Sequence, residues 1–87
     1  MPAIEIYTTR WCGYCRAAKA LLARKGLSFT EFDVGTDAGK RDEMLARTGG
    51  RHTVPQIFIG DKHIGGSDDL HALERSGALD ALLASSS

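Results

Sequence analysis

The sequence predicts an α/β fold in the order β-α-β-α-β-β-α, a βαβ unit followed by a hairpin and a closing helix. Three observations carry that expectation. Short runs rich in β-formers, "AIEIYT", "LSFTEFDV" and "TVPQIFI", alternate with segments of helical period. Glycine follows each of the first two helical segments, where a left-handed cap residue belongs. With 87 residues and no repeat, linker or low-complexity stretch, the chain has room for one domain, read as 1–87.

The elements follow in order. Residues 3–8 alternate and end in Tyr7 and Thr8, a strand. From Cys12 to Lys25, Cys15, Ala18 and Leu22, with Ala17 and Leu21, fall at helical spacing. Lys19, Arg24 and Lys25 weight the C-terminal part of that helix with positive charge, and Gly26 stops it. Residues 27–34 read as a second strand and Gly35 to Gly39 as a loop. "KRDEMLART" is a short helix with Met44 and Leu45 turned inward, ended by Gly49 and Gly50. Residues 53–59 form a third strand, with Pro55 at its start or on an edge because it has no N–H to give a ladder. "GDKH" turns into a short fourth strand that ends at "HIGG". Ser67 or Asp68 then caps a helix over 68–75, residues 78–84 continue it by a turn or two, and Ser85 to Ser87 read as a frayed tail.

Composition excludes several classes of function. Hydrophobic residues at 43% and charged residues at 25% are ordinary for a globular protein and wrong for a disordered one. Eleven basic residues balance eleven acidic ones, so no electrostatic footprint points to nucleic acid or an anionic membrane. "MPAIEIYTT" has neither a basic n-region nor an apolar h-region, and no uncharged stretch is long enough to span a bilayer. A cytoplasmic setting is expected, and there a Cys-x-x-Cys pair is catalytic or metal-binding more often than structural.

The chain's two cysteines, Cys12 and Cys15, stand at the start of the first helix. Helix N-terminal amides carry partial positive charge and stabilise a thiolate, the nucleophile of thiol–disulfide exchange. Arg10 and Arg16 flank the site. Cys15 lies nearly one turn further along the same face, within reach of a mixed disulfide on Cys12. A permanent Cys12–Cys15 bridge closes too small a loop to stabilise much. Zinc needs two more ligands, and His52, His63 and His71 lack tight spacing; the histidines read as surface or loop residues. The pair is therefore read as redox-active.

"YTTRWCGYC", "TVPQIFI" and "HIGGSDDL", in this order and spacing, resemble the glutaredoxin family, specifically its short bacterial dithiol type, over nearly all of the chain. The resemblance implies the thioredoxin fold, a four-stranded mixed sheet flanked by three or more helices. It also implies a glutathione-dependent thiol–disulfide oxidoreductase that reduces protein disulfides and glutathione mixed disulfides. Cys12 matches the family's nucleophile and Cys15 its resolving cysteine. Tyr14 matches a tyrosine lining the glutathione site. Thr53, Val54 and Pro55 match a segment with a cis proline, in which the backbone of Val54 pairs with the glutathione cysteine. Gly66, Ser67, Asp68 and Asp69 match the segment gripping the γ-glutamyl end. Physical chemistry supports that last role independently, since helix-start amides suit a carboxylate and an aspartate suits an ammonium group. Taken without the resemblance, Asp68 and Asp69 read as helix-capping acids.

The sequence departs from the pattern in places. Gly13 stands where many members have proline, and some relatives with a small residue there bind a [2Fe–2S] cluster between two subunits through the first cysteine and glutathione. A cluster-binding carrier or sensor, with Cys12 as the metal ligand, is thus an alternative. Thr9 replaces a lysine that pairs with the glutathione glycine carboxylate, a contact left to Arg10, Arg51 or Gln56. Ser67 replaces an extra cysteine seen in some relatives. Trp11 before the pair resembles thioredoxin, which gives a third reading, a reductase independent of glutathione. The expected partners are glutathione and disulfide-containing or glutathionylated proteins, met by a monomer, with no nucleic acid and no membrane.

Overall fold

A computed structural model describes residues 2–85. The elements are β1 (Ile4–Thr8), α1 (Gly13–Arg24), β2 (Thr30–Asp33), α2 (Ala38–Thr48), β3 (Gln56–Ile59), β4 (Lys62–Gly65), α3 (Ser67–Ser76) and α4 (Ala78–Ser85). The strands form one mixed sheet in the order β2-β1-β3-β4. β1 runs parallel to β2 and antiparallel to β3, and the β3–β4 pair is an antiparallel hairpin. This is the α/β architecture expected, with one more helix. Among the described residues, no helix is long and apolar enough to cross a membrane.

Strand alternation sends side chains to two different layers. Ile4, Ile6, Ile57 and Ile59 meet Ala18, Leu21 and Leu22 of α1, Leu70 of α3, and Leu79 and Leu83 of α4. Tyr7, Phe58 and Val34 meet Met44 of α2 on the opposite face, with Phe32 and Val54 packed alongside. Lys25, next to the end of α1, ties α3 to α4 by placing its Nζ 2.9 Å from Glu74 and 2.7 Å from Asp80.

Several sequence expectations change at this level. Cys12 precedes α1 as its N-cap. Ala17 is exposed, since Cys15, Ala18, Leu21 and Leu22 already fill the buried stripe. β2 begins at Thr30: Leu27 and Phe29 are apolar because they pack against the core edge, outside the strand ladder. β3 begins at Gln56, after Pro55. α2 begins at Ala38, where the Asp37 side chain accepts the Lys40 N–H at 3.0 Å. Met44 of α2 is buried, whereas Leu45 is only half-buried. Gly66, not Ser67 or Asp68, caps α3. Gly77, with φ of 79°, ends α3, so residues 78–85 form a separate helix. Ser85 closes α4, and the rest of the expected tail lies outside the described residues.

Candidate active site

The end of β1 delivers the chain to the start of α1. Cys12 adopts an extended conformation (φ −113°, ψ 110°), and its sulfur accepts the Cys15 N–H at 3.1 Å. A sulfur thus does the work usually done by a Ser, Asp or Asn oxygen, satisfying one of the unpaired amides of a helix start. The half-buried side chain leaves that sulfur reachable.

Cys15 is the opposite kind of thiol. It is 1% exposed, and its pKa is pushed up to about 12. Burial is the main cause, followed by its hydrogen bond with the Cys12 side chain; the Thr9 backbone amide and Lys19 act in the other direction. Both cysteines are free. The pair therefore combines one accessible, amide-capped sulfur with one buried sulfur that keeps its proton at neutral pH.

Facing Cys12 is the Arg51–Pro55 loop. The Val54–Pro55 peptide is cis, and the Val54 carbonyl stands 3.7 Å from the Cys12 sulfur. Beyond it, β4 enters α3 through two glycines. Gly65 has φ of 117°, and a Cβ there would come within 2.9 Å of Asp69 Cγ, so the position accepts no side chain. The Gly66 N–H donates to Asp69 Oδ2 at 3.0 Å, which fixes the entry to α3. A Cβ on Gly66 would sit 3.6 Å from the Pro55 carbonyl, so the α3 entry and the cis-proline loop lie against one another.

Between these segments is a cavity of about 190 Å³. Its walls hold every residue that the resemblance matched to the glutathione site: Tyr14, then Thr53, Val54 and Pro55, then Gly66, Ser67, Asp68 and Asp69. Tyr14 is 68% exposed, while Ser67 is buried. Of the three substitutes for the absent lysine, Arg51 lines this cavity. Arg10 lines a separate groove with Trp11 and Asp33. Gln56 is fully buried and committed to Thr53 and His63. The sequence offers Gln56 only as a carboxylate contact, and His63 reads as a surface or loop residue; their pairing with each other and with Thr53 goes unseen there. A polar residue within the apolar run "VPQIFI" was the available signal.

Comparison with known proteins agrees with the geometry. The family model described as glutaredoxin matches residues 4–64. A glutaredoxin of Pseudomonas aeruginosa is 59% identical over 83 residues, covering 95% of this chain and 98% of the relative. The solution structure of a glutaredoxin from Brucella melitensis superposes with a TM-score of 0.81 at 55% identity, over 95% of this chain and 89% of that one. A buckwheat glutaredoxin–glutathione complex superposes with a TM-score of 0.84 at 30% identity, over 95% and 77% of the two chains.

Proposed function

Because this chain belongs to the glutaredoxin family and is a thiol–disulfide oxidoreductase of thioredoxin fold, we propose that glutathione is its reductant and that Cys12 is the sulfur it works through. The observation that carries the proposal is the cavity beside Cys12, where one strand-like edge, one helix start and the Arg51 guanidinium converge. Thr53 and Val54 offer backbone to the cysteinyl part of the tripeptide. The α3 amides at Ser67 and Asp68 suit the γ-glutamyl carboxylate, and the Asp68 and Asp69 carboxylates suit its ammonium group. Arg51 takes the glycine carboxylate. The buckwheat relative crystallised with glutathione supports the same ligand here.

On a glutathione mixed disulfide, the Cys12 thiolate attacks the glutathionyl sulfur. A Cys12–glutathione disulfide forms, the original S–S bond breaks, and the protein leaves as a thiolate that takes a proton from water. A second glutathione thiolate then attacks the glutathionyl sulfur on Cys12, releasing oxidised glutathione and the Cys12 thiolate. On a protein disulfide, the Cys12 thiolate attacks one protein sulfur and expels the other as a thiolate, leaving a Cys12–protein mixed disulfide. Cys15 gives up its proton as it attacks the Cys12 sulfur, the remaining protein sulfur departs as the thiol, and two glutathiones reduce the resulting Cys12–Cys15 bond and leave as oxidised glutathione. The raised pKa of Cys15 makes the proton transfer part of this second route only. The protein acts as a cytoplasmic monomer on glutathionylated and disulfide-containing proteins.

The test is glutathione-coupled reduction of a small glutathione mixed disulfide. Cys15→Ser keeps this activity and Cys12→Ser loses it. Activity that survives Cys12→Ser overturns the assignment. Cys12 is also the ligand this chain would give a [2Fe–2S] cluster shared between two copies, and the open space at Gly13 favours keeping that reading. Anaerobic reconstitution with glutathione decides it: visible absorbance with a dimeric mass supports the cluster, and a colourless monomer rejects it.

A further inference from the structure

Gln56 is a fully buried polar side chain at the first position of β3, so its amide must find partners inside the protein. Its Nε2 donates to the Thr53 carbonyl at 3.0 Å and to the Thr53 hydroxyl at 3.1 Å. A carbonyl only accepts, so the amide nitrogen has to face Thr53 and the amide oxygen has to face away. That oxygen lies 2.6 Å from His63 Nε2. Since the oxygen cannot donate, the hydrogen of this contact resides on His63 Nε2. The His63 ring is itself fixed, stacked on Phe58 with centroids 4.8 Å apart and planes inclined by 22°. Burial and then the Arg51 guanidinium hold His63 below its ordinary pKa, with Arg47 acting the same way and Asp69 against them. A neutral imidazole has one N–H, and here it is spent on Gln56.

Thr53 is an exposed loop residue next to Val54, whose carbonyl faces the Cys12 sulfur. Upstream lie Gly49 and Gly50, both at positive φ. The loop is pinned at one end by Thr48, whose hydroxyl accepts the Arg51 N–H at 3.0 Å, and at the other by the Gln56 amide. We infer that Gln56 and His63 are positioning residues of the thiol-exchange site: the chain His63–Gln56–Thr53 sets the Thr53–Val54 backbone at its distance from Cys12 and thereby selects a glutathionyl substrate. The substrate part of this inference rests on the function proposed above.

His63→Phe keeps a ring on Phe58 and removes the donor. Losing one such bond raises KM for a glutathione mixed disulfide about 3- to 10-fold. The turnover number changes less than the KM, because the Cys12 sulfur is untouched. His63→Gln, which restores an N–H donor, recovers part of the affinity. Nitrogen-15 NMR of the unmodified protein reads the tautomer directly, and Nε2–H is expected. An Nδ1–H tautomer, or an unchanged KM in folded His63→Phe, overturns the inference. A wild-type protein indifferent to glutathione overturns the proposed function instead, and the tautomer then still decides whether the chain of bonds exists.

Discussion

The two faces of the sheet are held by different physics. The face under α1, α3 and α4 is aliphatic almost throughout, with Ile6, Leu22, Ile57, Leu70 and Leu79 fully buried. The face under α2 is aromatic and charged. The Arg47 guanidinium lies 3.8 Å from the centre of the Phe58 ring and donates to Tyr7 Oη at 2.7 Å and to Glu5 at 3.0 Å. The Tyr7 hydroxyl donates to Glu43, and Lys40 sits 4.1 Å over the Phe32 ring. Burial alone fixes a layer without directing it, whereas a set of hydrogen bonds fixes a helix at one height and one angle. The aligned face is the one whose helix runs into the Arg51–Pro55 loop. On this division the aliphatic face is expected to set stability, and the polar face to set the position of the loop on one side of the candidate site.

This contrast can be broken from either side. Leu70→Ala on the aliphatic face opens a cavity in a fully buried position and costs about 2–5 kcal/mol by denaturant unfolding. Glutathione affinity of the folded fraction should be unchanged; a selective loss of affinity would contradict the division. Tyr7→Phe on the polar face leaves Glu43 and Arg47 without their shared hydroxyl and costs about 1–2 kcal/mol. Here KM for a glutathione mixed disulfide should rise as well, and a pure stability loss would show that α2 does not govern the loop.

Acid sharpens the comparison with a smaller effect. The Tyr7 hydroxyl, chiefly, holds the Glu43 carboxyl below the usual glutamate range. A carboxyl with a depressed folded pKa adds stability that is present above its unfolded value, about 4.3, and lost as pH falls through the lower folded one. Glu31 behaves likewise on the aliphatic side, held down mainly by Lys19, but its link covers a layer that stays packed without it. Hydrogen-exchange protection, measured relative to the intrinsic rate at each pH, should therefore fall in α2 before α1 between pH 5 and 3. A simultaneous fall would mean that both faces depend equally on their ion pairs.

The smallest expected change lies between the two sulfurs. Gly13 opens α1 with free space where a Cβ would go, and the extended Cys12 before it suits a following proline. Gly13→Pro should stabilise by about 0.4–1 kcal/mol through a less flexible unfolded chain. A destabilised variant would show that the glycine amide is in use.

The sequence made the aliphatic face legible and the polar one nearly illegible. Periodicity reports apolar stripes, so Leu21, Leu22, Ile57 and Ile59 fell into place from spacing alone. Tyr7, Glu43 and Arg47 are joined across 36 and 40 residues, and no local pattern marks such a link. Cys12 was read into the helix because sulfur is not a habitual cap. Gly77 was passed over because a break of one left-handed residue hardly disturbs the run of apolar residues around it. At the candidate site, segments that matched as motifs came together in one cavity, while Gln56 and His63 acquired a role only when a turn and a strand were brought side by side.

The inequality of the two sulfurs has a practical side. With Cys15 buried on the inner face of α1 and Cys12 half-exposed, the reduced protein offers chemistry from outside a single handle. A brief exposure to iodoacetamide should add the mass of one carbamidomethyl group to the native chain and of two to the unfolded chain. The first adduct then serves as a label for a chosen point on the molecule, with no engineered cysteine required.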